Sequence, residues 1–261
     1  MKVKAIILLF FLVISIVGIG NSQNTRIRDN NNIGWLAYFG TFKLDNKWSI
    51  HSEFQFRREN FLADDLQNLY RVGINYQLHP KVQLRAGAAF IETAAYGDIP
   101  INSFGKSFGE RRLYQMLTVT DDVERVGISH RFLLEQRWNG RYSNAALEKE
   151  DIYSYTNRLR YMLRTQVPLK GKKIVNGTPY AAVYNEVFVG FGKNLGENVF
   201  DQNRLGILLG YRMNNNHRIE GGFLNQIVQL GREVSNQNVF QYNNGLIINY
   251  YLNLDFSKMP K

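Results

Sequence analysis

Residues 47–58 read KWSIHSEFQFRR, apolar at nearly every second position. Trp48, Ile50, Phe54 and Phe56 share one face, broken only by Ser52. Ser49, His51, Glu53, Gln55 and Arg57 share the other. A two-residue period belongs to a β-strand, whose successive side chains point to opposite faces. The same alternation returns at 68–78, 81–90, 125–138 and 153–167. It is noisier at 33–43, 110–120, 180–191, 203–213 and 217–229, and longest at 239–256. Helical spacing fits none of these segments as well.

The connections between these segments differ in length. Short ones follow Leu44, Leu78, Thr120 and Met213, and longer polar ones are expected at about 58–66, 92–109, 139–152, 192–202 and 230–238. Alternating tight turns and long loops is the pattern of an outer-membrane barrel, which a soluble sandwich has no reason to follow. The stretch PLKGKKIVNGTP at 168–179 is long where a short turn is expected.

The two faces then separate the barrel types. The polar face repeatedly carries arginine: Arg57, Arg71, Arg85, Arg131, Arg137, Arg158, Arg160, Arg164 and Arg204, with Glu53, Glu135, Glu186 and Glu220 among them. A soluble ligand-binding barrel has an apolar interior, whereas a membrane barrel turns apolar side chains outward and polar ones into the lumen. Aromatic residues gather near the strand ends, with Trp48, Tyr76 and Tyr211 beside short turns and Trp138, Tyr153 and Tyr155 beside a long loop. Those are positions for two interfacial girdles. The expected fold is all-β, an antiparallel up-and-down transmembrane β-barrel. Eleven candidate segments and the usual even number give about 12 strands (10–12). Either residues 23–32 hold a further short strand or one candidate is false.

The chain begins MKVKAIILLFFLVISIVGIGNSQ. Lys2 and Lys4, an apolar run from Ala5 to Ile19, and the small Gly20 and Ser22 have the three parts of a secretory signal peptide. Residues 1–22 are therefore read as a leader and 23–261 as one outer-membrane barrel domain. The alternative is a retained anchor, but the run is shorter than the ~20 residues of a spanning helix. The 261 residues include no cysteine, which excludes disulfides, a lipid-modified cysteine, thiolate-bound metal and a cysteine nucleophile. The formal charge is +10, which favours acidic partners such as anionic headgroups. For an exported chain nucleic acid is the least suitable of these.

The end of the chain, NNGLIINYYLNLDF, resembles the carboxy-terminal strand of bacterial outer-membrane proteins, which carries their assembly signal. Asn243, Gly245, Ile248 and Tyr250 match that pattern, and the apolar face continues to Phe256. The resemblance implies the barrel-assembly machinery as a partner and the outer membrane of a Gram-negative bacterium as the location. The segments GWLAYFGTFKLDNKWSIHSEFQFR, HRFLLEQRW and NRLGILLGYRMNNNHRIEGGFLNQ, in this order, are similar to those of domain-of-unknown-function family 2490, a family of exported barrels. The family carries no established activity, so the resemblance assigns no catalytic residue.

Two readings of the inward arginines follow. Arg and Glu from neighbouring strands pair and fill a narrow lumen as a structural plug, or the ladder attracts small anionic solutes along a channel. An enzyme from another class, a lipid hydrolase using Ser and His, is the alternative. Its candidates are thin: His79 and His217 flank turns, and Ser129 and His130 are adjacent on a strand and face opposite ways. His51 is inward beside Glu53. No spacing suggests a metal site or cofactor, and GKSFGE at 105–110 lacks the spacing of a phosphate loop. The expected protein is a non-enzymatic outer-membrane barrel in contact with lipid.

Overall fold

The structure is a computed structural model that describes residues 26–196 and 198–257. The leader expected at residues 1–22 lies outside the described residues. Eleven strands follow one another: β1 (Arg26–Lys43), β2 (Trp48–Glu59), β3 (Asp64–His79), β4 (Val82–Thr93), β5 (Phe108–Val123), β6 (Val126–Arg141), β7 (Ile152–Pro168), β8 (Thr178–Phe191), β9 (Phe200–Arg212), β10 (His217–Val234) and β11 (Gln237–Asp255). Each pairs antiparallel with its chain neighbour, and β1 closes on β11 to complete a barrel.

That closure corrects the purely antiparallel expectation, while the eleven strands fall within the expected 10–12. A chain that reverses at each turn brings its first and last strands into the same direction when the number is odd, so the seam between β1 and β11 is parallel. Residues 26–32 do not form a twelfth strand. They lengthen β1 and pair with 238–244 of β11. Backbones pack closely along the seam: a Cβ on Gly245 would lie 1.7 Å from the Ile33 carbonyl oxygen.

The alternation of loop length is weaker than expected. The expected long connection at 230–238 is a two-residue turn, Ser235 and Asn236, both with positive φ (52° and 58°). Left-handed conformation at both central residues gives a turn whose twist matches the flanking strands. Polar composition suggested a loop there, and the paired ladder overrides it. The connection at 58–66 contracts likewise to residues 60–63, with a short 3-10 turn at Asn60–Leu62. Long loops remain at 94–107, 142–151 and 192–199, and the misfit stretch is a loop at 169–177 on the end with the short turns. Two of those short turns share one device. Asp45 accepts hydrogen bonds from the Lys47 and Trp48 amides, and Asn214 accepts from those of Asn216 and His217. A short Asx side chain that bonds the backbone two residues on favours such a turn.

The core is inside the barrel, and it has two sides. Ile33, Trp35, Leu66, Tyr96, Tyr180, Ala182, Leu208, Leu224 and Ile247 form an apolar cluster, mostly from β8 to β11 and β1. Glycine makes room for its rings. Tyr184 lies across Gly206 on the neighbouring strand and Tyr180 across Gly210, where a Cβ would meet the ring carbons at 2.1 and 2.2 Å. The remainder of the interior is mostly polar and charged, with two small apolar clusters, Leu69, Ala89 and Ile91, and Tyr114, Met116 and Leu133.

Candidate functional site

The alternation that builds each strand sends one arginine or carboxylate after another into the barrel. Glu135 of β6, with no exposed surface, is the hub. Its Oε2 accepts from the Arg158 Nε at 2.7 Å, and Oε1 accepts from Arg160 at 3.0 Å and Arg112 at 3.3 Å. An Arg71 nitrogen lies 3.6 Å away. Three strands, β3, β5 and β7, thus converge on one carboxylate. Arginine suits this role because its fixed fork of donors serves two acceptors at once. Arg158 uses it so, binding Glu135 with Nε and Asp201 with Nη1.

Around the hub, Glu186 of β8 accepts from Arg131 and Arg160, both at 2.8 Å, with Arg204 at 3.9 Å. Glu53 accepts from Arg71 at 2.8 Å, with His51 3.3 Å away. Glu220 accepts from Arg164, from Tyr180 at 2.6 Å and from Tyr251 at 2.9 Å. Arg137 turns to Glu110 at 2.6 Å and lies 3.6 Å from Asp201. Two of the arginines singled out in the sequence meet no carboxylate within ion-pair distance among the described residues. Arg57 bonds Gln55 and Gln67, and Arg85 bonds Asn75.

Four charged members escaped the sequence reading: Glu110, Arg112, Asp201 and Arg218. Glu110 and Arg112 stand two apart on the inward face of β5, but Arg111 between them and a noisy flank blur the period. Asp201 breaks parity. The β8–β9 ladder passes from Val189↔Phe200 to Phe188↔Gln202, leaving Asp201 as the extra residue of a bulge. A bulge redirects a side chain that simple alternation would send the other way. Arg218 lies over the Tyr251 ring at 3.8 Å.

Outside the barrel the expected girdle residues occupy its two ends. Trp48 and Tyr76 pair at 4.7 Å near the short turns, where Tyr211 is also exposed. Trp138 and Tyr155 pair at 5.2 Å near the long loops, where Tyr153 is exposed beside Arg111. The residues of the terminal motif divide between faces. Asn243 is fully buried inside, Gly245 sits in the seam, Ile248 and Tyr250 point outward, and Phe256 stacks on Phe42 at 6.3 Å.

The loop at 94–107 folds into the mouth. Tyr96 donates to Gln241 at 2.7 Å and accepts from Asn243 at 3.3 Å. The Ile99 amide donates to Asp29 and the Ile99 carbonyl accepts from Gln241. Burial pushes the Tyr96 hydroxyl up to about 12. Beneath this loop is a chamber of about 320 Å³, and at the short-turn end another of about 450 Å³. Arg57, Arg160 and Arg204 line both.

The architecture and interior define a closed eleven-stranded β-barrel packed with an arginine–carboxylate network. Residues 32–238 match a family described as Protein of unknown function (DUF2490), and the chain belongs to that family. No curated protein and no solved structure matches the chain.

Proposed function

We propose that the protein is a non-enzymatic outer-membrane β-barrel whose interior is a structural plug of ion pairs. The observation that carries this is the outward face. At mid-strand it presents Phe54, Ile74, Phe132, Leu159, Ile207 and Leu246, all exposed. Outward charges, among them Arg26, Arg28, Arg58, Asp65, Glu92, Arg111 and Asp121, sit toward strand ends. A charge-free band between aromatic ends suits a bilayer, and a charged interior is the reverse of a soluble barrel. The polar side chains within the band satisfy one another. Gln115 pairs with Gln136 through two hydrogen bonds, Asn185 with Asn203 likewise, and Asn225 with Asn244. Pairing lowers the penalty of placing an amide in hydrocarbon.

The plug reading rests on Glu135 and its arginines, which span the interior and are buried to nine-tenths or more. The lipid-hydrolase alternative has less support. The histidines hold other partners: His51 bonds Glu53, His79 accepts from the Lys81 amide, His130 bonds Tyr161 and His217 bonds Tyr250. Expression with the leader followed by membrane fractionation tests the proposal. The mature chain is expected in the outer-membrane fraction, soluble only with detergent and faster on an unboiled gel than a boiled one. A chain that stays monomeric in buffer without detergent overturns it.

A further inference from the structure

The ion-pair network leaves one group of neighbouring buried donors incompletely met. Arg57 is 5 % exposed, and among the described residues its guanidinium donates hydrogen bonds to amide oxygens, those of Gln55 and Gln67. Arg204 is 8 % exposed, and its Nη2 donates to Gln202 at 3.0 Å. Its nearest carboxylate, Glu186 at 3.9 Å, is already held by Arg131 and Arg160. The Arg204 Nε is buried and meets no acceptor among the described residues, and the same holds for the Trp35 indole Nε1.

These groups are neighbours. The Trp35 ring lies 4.1 Å from the Arg57 guanidinium carbon and 5.0 Å from that of Arg204. Trp35 and Arg57 are directly opposite on β1 and β2, while Arg204 reaches in from β9. All three line the chamber at the short-turn end, and both arginines also line the chamber under the loop.

Two guanidinium groups around one aromatic face repel each other, and the cation–π attraction offsets only part of their desolvation. An indole N–H has no role other than donor. What satisfies such a set is a negatively charged acceptor with several lone pairs. We propose that Arg57, Arg204 and the Trp35 indole N–H form the seat of a small oxyanion (sulfate, phosphate or a carboxylate) where the two chambers meet. An oxyanion matches the arginine fork better than a halide does, because two of its oxygens can each accept one N–H. The seat depends on the closed interior alone and holds whether or not the barrel lies in a bilayer.

The chain has three tryptophans, and Trp48 and Trp138 point outward. In a Trp48→Phe/Trp138→Phe background, Trp35 is therefore the single indole reporter. Its emission is titrated with sodium sulfate, sodium phosphate and sodium acetate against sodium chloride at matched ionic strength, with folding verified by circular dichroism. The expected result is a saturable change with at least one oxyanion. Arg57→Gln and Arg204→Gln should each raise the midpoint about tenfold, the loss of one charged hydrogen bond. Arg125→Gln, at the β5–β6 turn, should leave it unchanged. If either glutamine variant fails to fold, Arg57→Lys or Arg204→Lys keeps the charge, removes the fork and should still raise the midpoint. Three results overturn the seat: no saturable response up to about 100 mM beyond that of matched screening salt, an equal response to chloride, or an unchanged midpoint in the folded variants.

Discussion

Glu135 concentrates the energetics of the interior at one residue. Its carboxylate has no exposed surface and faces Arg158, Arg160, Arg112 and Arg71. Replacing it with glutamine keeps the shape but leaves several buried cations short of a counter-charge. Removing one partner of a buried ion pair costs about 3–5 kcal/mol, so Glu135→Gln should lower the unfolding free energy from urea titration by that much. The Lys43–Asp255 pair, each side chain more than one-third exposed, is the contrast. Asp255→Asn should change stability by less than about 1 kcal/mol. Equal losses in the two variants would mean that burial does not set the strength of these pairs. At this scale the sequence was partly legible. Alternation alone turns Glu135 toward Arg158, Arg160 and Arg164 of the next strand, and the first two are its partners. It does not determine that Arg164, on the same face, goes to Glu220 of β10 across the interior. Contacts across a lumen depend on barrel curvature, which the spacing along one strand does not encode.

At the scale of elements, ten of the eleven strand pairings are hairpins between chain neighbours, and period two with turn residues makes these readable. The eleventh is the parallel seam, which no local signal announces. The cysteine-free chain gives a clean test of it. Ala37 and Asn249 are register partners on the inward face of β1 and β11. Ala37→Cys/Asn249→Cys should form a disulfide on oxidation, detected as a mobility shift that reductant reverses. Pairing Ala37→Cys with Asn243→Cys, six residues out of register, should give none, because cysteines more than ~7 Å apart cannot bridge. The 94–107 loop is the second element that the sequence left open. Its polar stretch reads as solvated, yet Tyr96 is buried against Gln241 and Asn243. An ordinary tyrosine ionises near pH 10, whereas Tyr96 keeps its proton to about 12. Docking strength is therefore complete below about pH 10 and falls as pH rises toward 12, because the undocked loop releases its proton first. A fluorophore on Ser103→Cys should lose anisotropy across that interval. Tyr96→Phe should remove the step, and an unchanged step would assign the alkaline transition to other groups.

For the whole molecule, the proposed membrane setting makes the two faces respond oppositely to one substitution. Ile207 is outward and half exposed on β9, whereas Gln166 is inward and lines the chamber at the short-turn end. Ile207→Arg should cost about 2–4 kcal/mol if it sits near the bilayer midplane. Gln166→Arg should cost much less, since that chamber holds polar groups and space. The midpoints of refolding into lipid vesicles measure both, and similar losses would remove the membrane reading.

Under the proposed plug, conduction is set by what lies between the two chambers. The 94–107 loop folds into one mouth, and beneath it Arg57, Arg160 and Arg204 form a layer that lines both chambers. Those arginines are packed on the inward rings of Trp35 and Phe188. If the plug is this layer, shortening the loop between residues 98 and 105 removes a lid but not the obstruction. The reconstituted barrel should then be silent in a planar bilayer both with and without the loop. Arg160→Ala in the shortened variant should introduce current, because it empties one side of the layer while Glu186 keeps Arg131 as a partner. That current should favour anions, since the remaining layer is cationic. A large current on loop removal alone would put the constriction at the mouth and make the charged interior a pathway.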